Sequence, residues 1–269
     1  VLQAVAKTNT FLGIIYAGQF IEVPALQQAA AQAVRVLALG NIEFNGPEVV
    51  ALLKRAAEGI KGGDALSQGW LVKDARVVNY MSAHDNNTLW DKLLLSNPDN
   101  TDDQRNRMNN LGAAIVMIAK GTPFWQAGEE MLRTKGGDEN SYKSSDAVNN
   151  INWSVLCEGT REYATMLYYK GLIEMRKAYD IFTSPAAQVI SAEELGSGIL
   201  AITFDDGKGG QALVLINPHN TGLPYTLNGQ WNLVATATEA GAAVLAQETG
   251  SVTVDAIGVR VYVNDKLAK

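Results

Sequence analysis

A chain of 269 residues, 47% of them hydrophobic, is long enough to bury one large core or two ordinary ones, which argues against intrinsic disorder. Its 22 basic and 28 acidic side chains leave a formal charge of -6, and Lys and Arg form no block that could follow a phosphate backbone, so nucleic acid is not an expected partner. The single cysteine, Cys157, excludes an intrachain disulfide and a cysteine-type zinc site. No run approaches the roughly 20 apolar residues of a membrane span, so no membrane partner is expected either.

In chain order, residues 1 to 180 alternate short apolar runs with longer helical patterns, the reading expected of βα units around a parallel sheet. Candidate strands are Phe11–Tyr16, Ile42–Phe44, Val77–Ser82 and Thr122–Gln126. Ahead of the last of these, Thr101 and Gln104 form a capping box, Met108, Leu111, Ile115 and Ile118 recur on one helical face, and Gly121 with Pro123 ends the helix. A second helix is expected over 161–178, with Leu167, Tyr168, Leu172 and Met175 as its buried stripe.

After Tyr179 the pattern changes to short β-rich runs between turn residues, which predicts an antiparallel β-sandwich over 181–269 and a domain boundary near Asp180. The expected strands are Ile199–Phe204, Ala212–Asn217, Trp231–Val234, Val252–Val254 and Val259–Val263. Asp206-Gly207 and Asn228-Gly229 supply residues suited to tight turns between them.

Chemistry concentrates in the stretch from Asn79 to Leu93, where an apolar strand delivers His84 and Asp85 together at its C-terminal end. Parallel α/β sheets and barrels place their active sites there. The residues alone leave a second reading open: Asp85 caps the helix starting near Thr88, and His84 is a hydrogen-bonded surface residue. Further on, Glu129 and Glu130 could be read as an acid/base pair, but adjacent carboxylates close to Arg133 and Lys135 fit an ion-pair cluster better. His219, just after Pro218, reads as a solvated loop residue.

The stretch from Asn79 to Leu93, with His84-Asp85-Asn86-Asn87 at its centre, resembles the fourth signature region of glycoside hydrolase family 13, and its continuation Thr88-Leu89-Trp90-Asp91-Lys92-Leu93 resembles the type I pullulanases in particular. Gly121–Lys135 is similar to the strand 8 region of the same enzymes, and Asp138–Tyr142 to the loop lining their glucan cleft. The resemblance implies an α/β fold, the C-terminal half of a (β/α)8 TIM barrel over 1–180 (strands 5 to 8), followed by the β-sandwich. It implies a retaining hydrolase of α-1,6-glucosidic branch points in pullulan, starch or glycogen. Asp85 would stabilise the transition state, His84 would bond sugar hydroxyls, and Asn86, Asp138, Asn140 and Tyr142 would contact the glucan in one cleft.

Laying Tyr16–Phe20 over the family's strand 5 motif puts Gln19 at the general acid's position, where an amide has no proton to give at neutral pH. The nucleophile, on strand 4, would fall outside the chain. The chain alone is therefore expected to be inactive, and a non-catalytic glucan-binding or purely structural role stands as the alternative. The partner implied is an α-glucan, together with an N-terminal half or a second copy to cover open barrel edges. No cofactor or metal is read from the residues; calcium and an extracellular or cell-surface location follow from the resemblance alone.

Overall fold

The structure, a computed structural model, describes residues 1–8, 10–40, 49, 52–53 and 77–267. The chain divides into two compact units, Val1–Lys73 and Asp74–Lys269. No helix among the described residues is long and apolar enough to cross a membrane.

The first unit is helical where it is described: α1 (Leu2–Val5), α2 (Phe11–Gly18) and α3 (Gln27–Gly40). The expected strand over Phe11–Tyr16 is thus a helix. Thr10 caps it by accepting a hydrogen bond from the Gly13 amide at 3.1 Å, and Gly13, Ile14, Ala17, Gly18 and Ile21 are buried at helical spacing. Ile14, Ala17 and Ile21 share a core with Ala30, Val34 and Leu37. Ile42–Phe44 lies outside the described residues.

In the second unit, β1 (Val78–Asn79) and β2 (Thr122–Pro123) pair in parallel, with Thr122 opposite Val78. The amides of Thr122 and Phe124 donate to the carbonyls of Val77 and Asn79 at 2.7 and 2.9 Å. Pro123 lies between these donors, so its missing N–H falls on the side facing away from β1. The strands are joined through α4 (Leu89–Ser96) and α5 (Asp102–Ile118). The capping box of α5 is formed: Thr101 Oγ1 accepts from the Gln104 amide at 3.2 Å, and Gln104 Oε1 accepts from the Thr101 amide at 2.8 Å. Its buried face is offset from the expected stripe, because Ile115 is exposed while Asn109, Ala113, Ala114 and Met117 turn inward. Small residues there let the next helix approach closely.

That helix is α6 (Arg161–Ala178), capped by Thr160. Tyr168, Tyr169, Leu172 and Met175 are buried, whereas Leu167, expected in the stripe, is exposed. The Arg176 guanidinium, itself buried, donates to the carbonyls of Met117, Ala119 (2.9 Å) and Gly121 (2.7 Å), satisfying the C-terminal end of α5 just before β2.

The β-rich half is a single six-stranded antiparallel sheet, in the order β3-β4-β5-β8-β6-β7, where two sheets of a sandwich are expected. The strands are β3 (Gln188–Glu194), β4 (Leu200–Asp205), β5 (Gln211–Asn217), β6 (Leu223–Ala235), β7 (Ala246–Val254) and β8 (Gly258–Val263). Asn228-Gly229 does not close a hairpin. It sits inside β6 at a shift in register between Leu227 and Trp231, with Gly229 at φ 83°. Before that bulge, Leu223, Tyr225 and Leu227 gather with Leu213, Leu215 and Tyr262 over one face of the sheet.

The other face carries Val214, Ile216, Val234, Val259, Val261 and Val263, which share one core with Met117, Tyr168, Leu172 and Met175. Position 180 marks the change from helix to strand, and residues on both sides of it belong to this core. The contact is tightest at Gly171, where an added Cβ would lie 2.0 Å from the Ala240 carbonyl oxygen. Backbone cannot yield as a side-chain tip does, so Gly171→Ala is expected to cost about 1–3 kcal/mol in urea unfolding. An unchanged midpoint would mean that α6 does not pack this closely.

Candidate functional site

The first site segment leaves β1 through buried Ser82 and reaches the bend His84-Asp85-Asn86 before α4. The capping reading of Asp85 does not hold, because Thr88 is the N-cap and its Oγ1 accepts from the Asp91 amide at 3.2 Å. Asp85 is free for other work. His84 Nε2 lies 3.6 Å from Asp85 Oδ2, with the two side chains 88% and 83% exposed. Asn86 follows with φ 65°, a left-handed conformation that Asn tolerates better than most residues. It turns the chain from the exposed pair back into the helix cap.

The second segment leaves β2 and turns at Gly128 (φ 97°) into a short helical turn, Glu129–Met131. The turn aims Glu129 inward, where it is 5% exposed and accepts a hydrogen bond of 2.5 Å from Ser82 Oγ. Tyr169 Oη donates to the same carboxyl at 3.4 Å, and Asn109 Nδ2 donates to Tyr169 at 3.0 Å. Burial pushes the Glu129 carboxyl above its ordinary range, against the lowering effect of these hydrogen bonds. The expected ion-pair cluster is not what holds these residues: Glu130 accepts from the Gly128 amide at 2.9 Å, Arg133 donates to the carbonyls of Ala127 and Asn149, and Lys135 Nζ donates to Ser141 Oγ at 2.6 Å.

Beyond Lys135 the chain forms the loop expected to contact sugar. Asp138 spends both oxygens within that loop, on the Asn140 amide at 3.1 Å and on Ser144 Oγ. Asn140 and Tyr142 are exposed, and the Lys143 ammonium stands 5.1 Å from the Tyr142 ring centre. Asn149 Nδ2 ties the loop from below through the carbonyls of Ser141 (2.6 Å) and Ser144 (3.1 Å).

Gln19 belongs to the first unit and is the C-cap of α2, its amide donating to the carbonyls of Tyr16 and Ala17. It ends a helix rather than a strand, which removes the geometric basis for placing it at the acid's position. A cavity of about 660 Å³ lies among Trp90, Asp102, Arg133, Asn150, Asn152 and Arg161, and none of His84, Asp85, Asp138, Asn140 or Tyr142 lines it.

Sequence reasoning misses Asp91. It is 2% exposed and accepts from Thr134 Oγ1 and from the Lys135 amide at 2.8 Å. Its position three residues after Thr88 signals only a helix start. Among the described residues, no group of three or more His, Cys, Asp and Glu is placed to hold a metal ion.

No family model matches the chain. It is 34% identical to the pullulanase of Bacillus subtilis over 157 residues, which is 56% of this chain and 21% of that protein. The solved pullulanase of Paenibacillus barengoltzii, in complex with maltohexaose and α-cyclodextrin, superposes with a TM-score of 0.60 at 33% identity, over 75% of this chain and 31% of that one. The pullulanase of Bacillus acidopullulyticus does so with a TM-score of 0.61 at 31% identity, over 70% and 24%. The chain is thus a homologue of glycoside hydrolases of family 13. Within them its relatives are the type I pullulanases, and it spans about a fifth of the length of the curated relative from Bacillus subtilis.

A raised carboxyl holds its proton more tightly in the folded chain than in the unfolded one. The stability contributed by Glu129 is then complete below its unfolded value near 4.5 and is lost as pH rises through the higher folded value. Urea midpoints of the wild type, compared with Glu129→Gln from pH 4 to 8, are expected to fall relative to the variant as pH rises. A relative gain with rising pH would mean that the ionised carboxylate is the favoured form.

Proposed function

We propose that this chain is the part of a pullulanase-type glycoside hydrolase that carries the transition-state stabiliser, Asp85, and its sugar-binding neighbour, His84. One observation carries the reading. Asp85, the residue that the sequence resemblance assigns to this role, stands exposed beside His84, beyond the end of a parallel strand, and is not spent on capping the helix that follows. A carboxylate in that position can face a developing oxocarbenium charge, and an imidazole can donate to sugar hydroxyls.

In this proposal β1 and β2 are the last two strands of a (β/α)8 barrel, and the six-stranded sheet is the C-terminal β-domain. Exposed Val78, Tyr80 and Phe124 on or beside the two strands support a larger barrel, since such residues would be covered in one. Retaining hydrolysis also needs a nucleophile and a general acid, and no residue here is assigned to either role. Binding of α-1,4/α-1,6-glucans without cleavage is the activity proposed for the chain by itself.

The test is direct. The isolated chain is expected to release no more reducing sugar from pullulan than its Asp85→Asn variant, because the remaining members of a cooperating set supply little rate enhancement. It should bind maltotetraose, and His84→Ala should weaken that binding by up to about tenfold, the scale of one net hydrogen bond. Hydrolysis well above the variant would locate the missing groups within this chain. Binding indifferent to His84 and Asp85 would remove them from the site.

A further inference from the structure

The His84-Asp85-Asn86 bend has little holding it directly. Its side chains make no hydrogen bond to other elements among the described residues, so its position is inherited from the two ends of its segment. Those ends are anchored in a crossed pattern. At the start of the first segment, Ser82 donates to Glu129, which belongs to the second. At the end of the first segment, Asp91 accepts from Thr134 and from the Lys135 amide, at the start of the loop carrying Asp138, Asn140 and Tyr142. Each segment lends the other one buried carboxylate.

We infer that Asp91 and Glu129 are positioning residues, a pair of crossed clamps that set the His84–Asp85 bend and the Asp138–Tyr142 loop relative to each other without touching sugar. Their value for glucan chemistry rests on the proposed function; the clamps themselves do not. The Asp91 clamp extends past Lys135, whose Nζ donates to buried Ser141 beside Tyr142. The Glu129 clamp extends through Tyr169 to Asn109, and so to α6 and α5. Burial without a paired cation is a costly way to hold a loop, and an apolar contact would serve stability as well. What the carboxylates add is direction: each fixes two donors on defined lines, which apolar packing does not.

The whole chain has two histidines, His84 and His219, so imidazole resonances report on the bend with one internal control. Glu129→Leu is expected to shift the His84 resonances and leave those of His219 in place, while Glu129→Gln, which keeps an acceptor for Ser82, restores the wild-type positions. Asp91→Ala should speed hydrogen exchange at the Lys135 amide about tenfold or more while the amides of β5 and β8 keep their protection. If Glu129→Leu does not fold, Ser82→Ala removes the same bond and carries the same expectation. Unmoved His84 signals in a folded variant, or protection lost equally in β5 and β8, would overturn the inference. Added maltotetraose separates the two claims: a wild type whose His84 signals ignore it sinks the proposed function, and the clamps are still decided by the resonances and exchange.

Discussion

A buried guanidinium at the end of α5 determines where the site can be. The last carbonyls of any helix lack intrahelical partners, and those of α5 lead within a few residues into β2. Arg176 answers two of them from α6, at Met117 and Ala119, and the Gly121 carbonyl just beyond, meeting the partial negative charge of the helix end with a full positive one. The helix that packs on the sheet thereby also fixes the entry to β2. Register between β2 and β1 then follows from two main-chain hydrogen bonds, and both site segments start from that short ladder.

Features governed by neighbours in sequence were legible in it. The capping box at Thr101 and Gln104, the extent of α6 and most strands of the sheet depend on local spacing and turn residues. Phe11–Tyr16 was not legible, because six apolar residues in a row satisfy a buried strand and a buried helix alike. Thr10, followed by small or apolar residues at 13, 14, 17 and 18, was the signal for a helix. Asn228-Gly229 misleads for a related reason: left-handed φ at glycine serves a bulge inside a strand as readily as a hairpin turn.

The exposed residues proposed to meet a ligand draw attention in the sequence, and the buried ones behind them do not. His84 and Asp85 stand out as unusual residue types at a strand end, and the alternative cap was excluded once Thr88 was seen to fill that position. Asp91 was hidden by its own plausibility as the third residue of a helix, a place where acids are common for reasons of local charge. Glu129 was hidden behind Arg133 and Lys135, whose proximity in sequence suggests ion pairs that the left-handed turn at Gly128 does not form. Burial is a property of the tertiary fold, so no spacing rule separates a solvated carboxylate from one that holds two segments together.

That division has a physical logic. A group that must meet a ligand has to remain accessible, and accessibility deprives it of the packing that would fix its direction. Precision must then come from residues behind it that are themselves immobile. Asp85 and His84 lie at one extreme, with most of their side-chain surface open, and Asp91 and Glu129 at the other. Ionising Glu129 in its buried setting works against the fold, as its raised pKa reflects, yet the alternative of an apolar residue would leave Ser82 Oγ without its acceptor. A pair of buried acids placed crosswise behind an exposed acid and its histidine is therefore the arrangement expected where direction matters more than the last increment of stability.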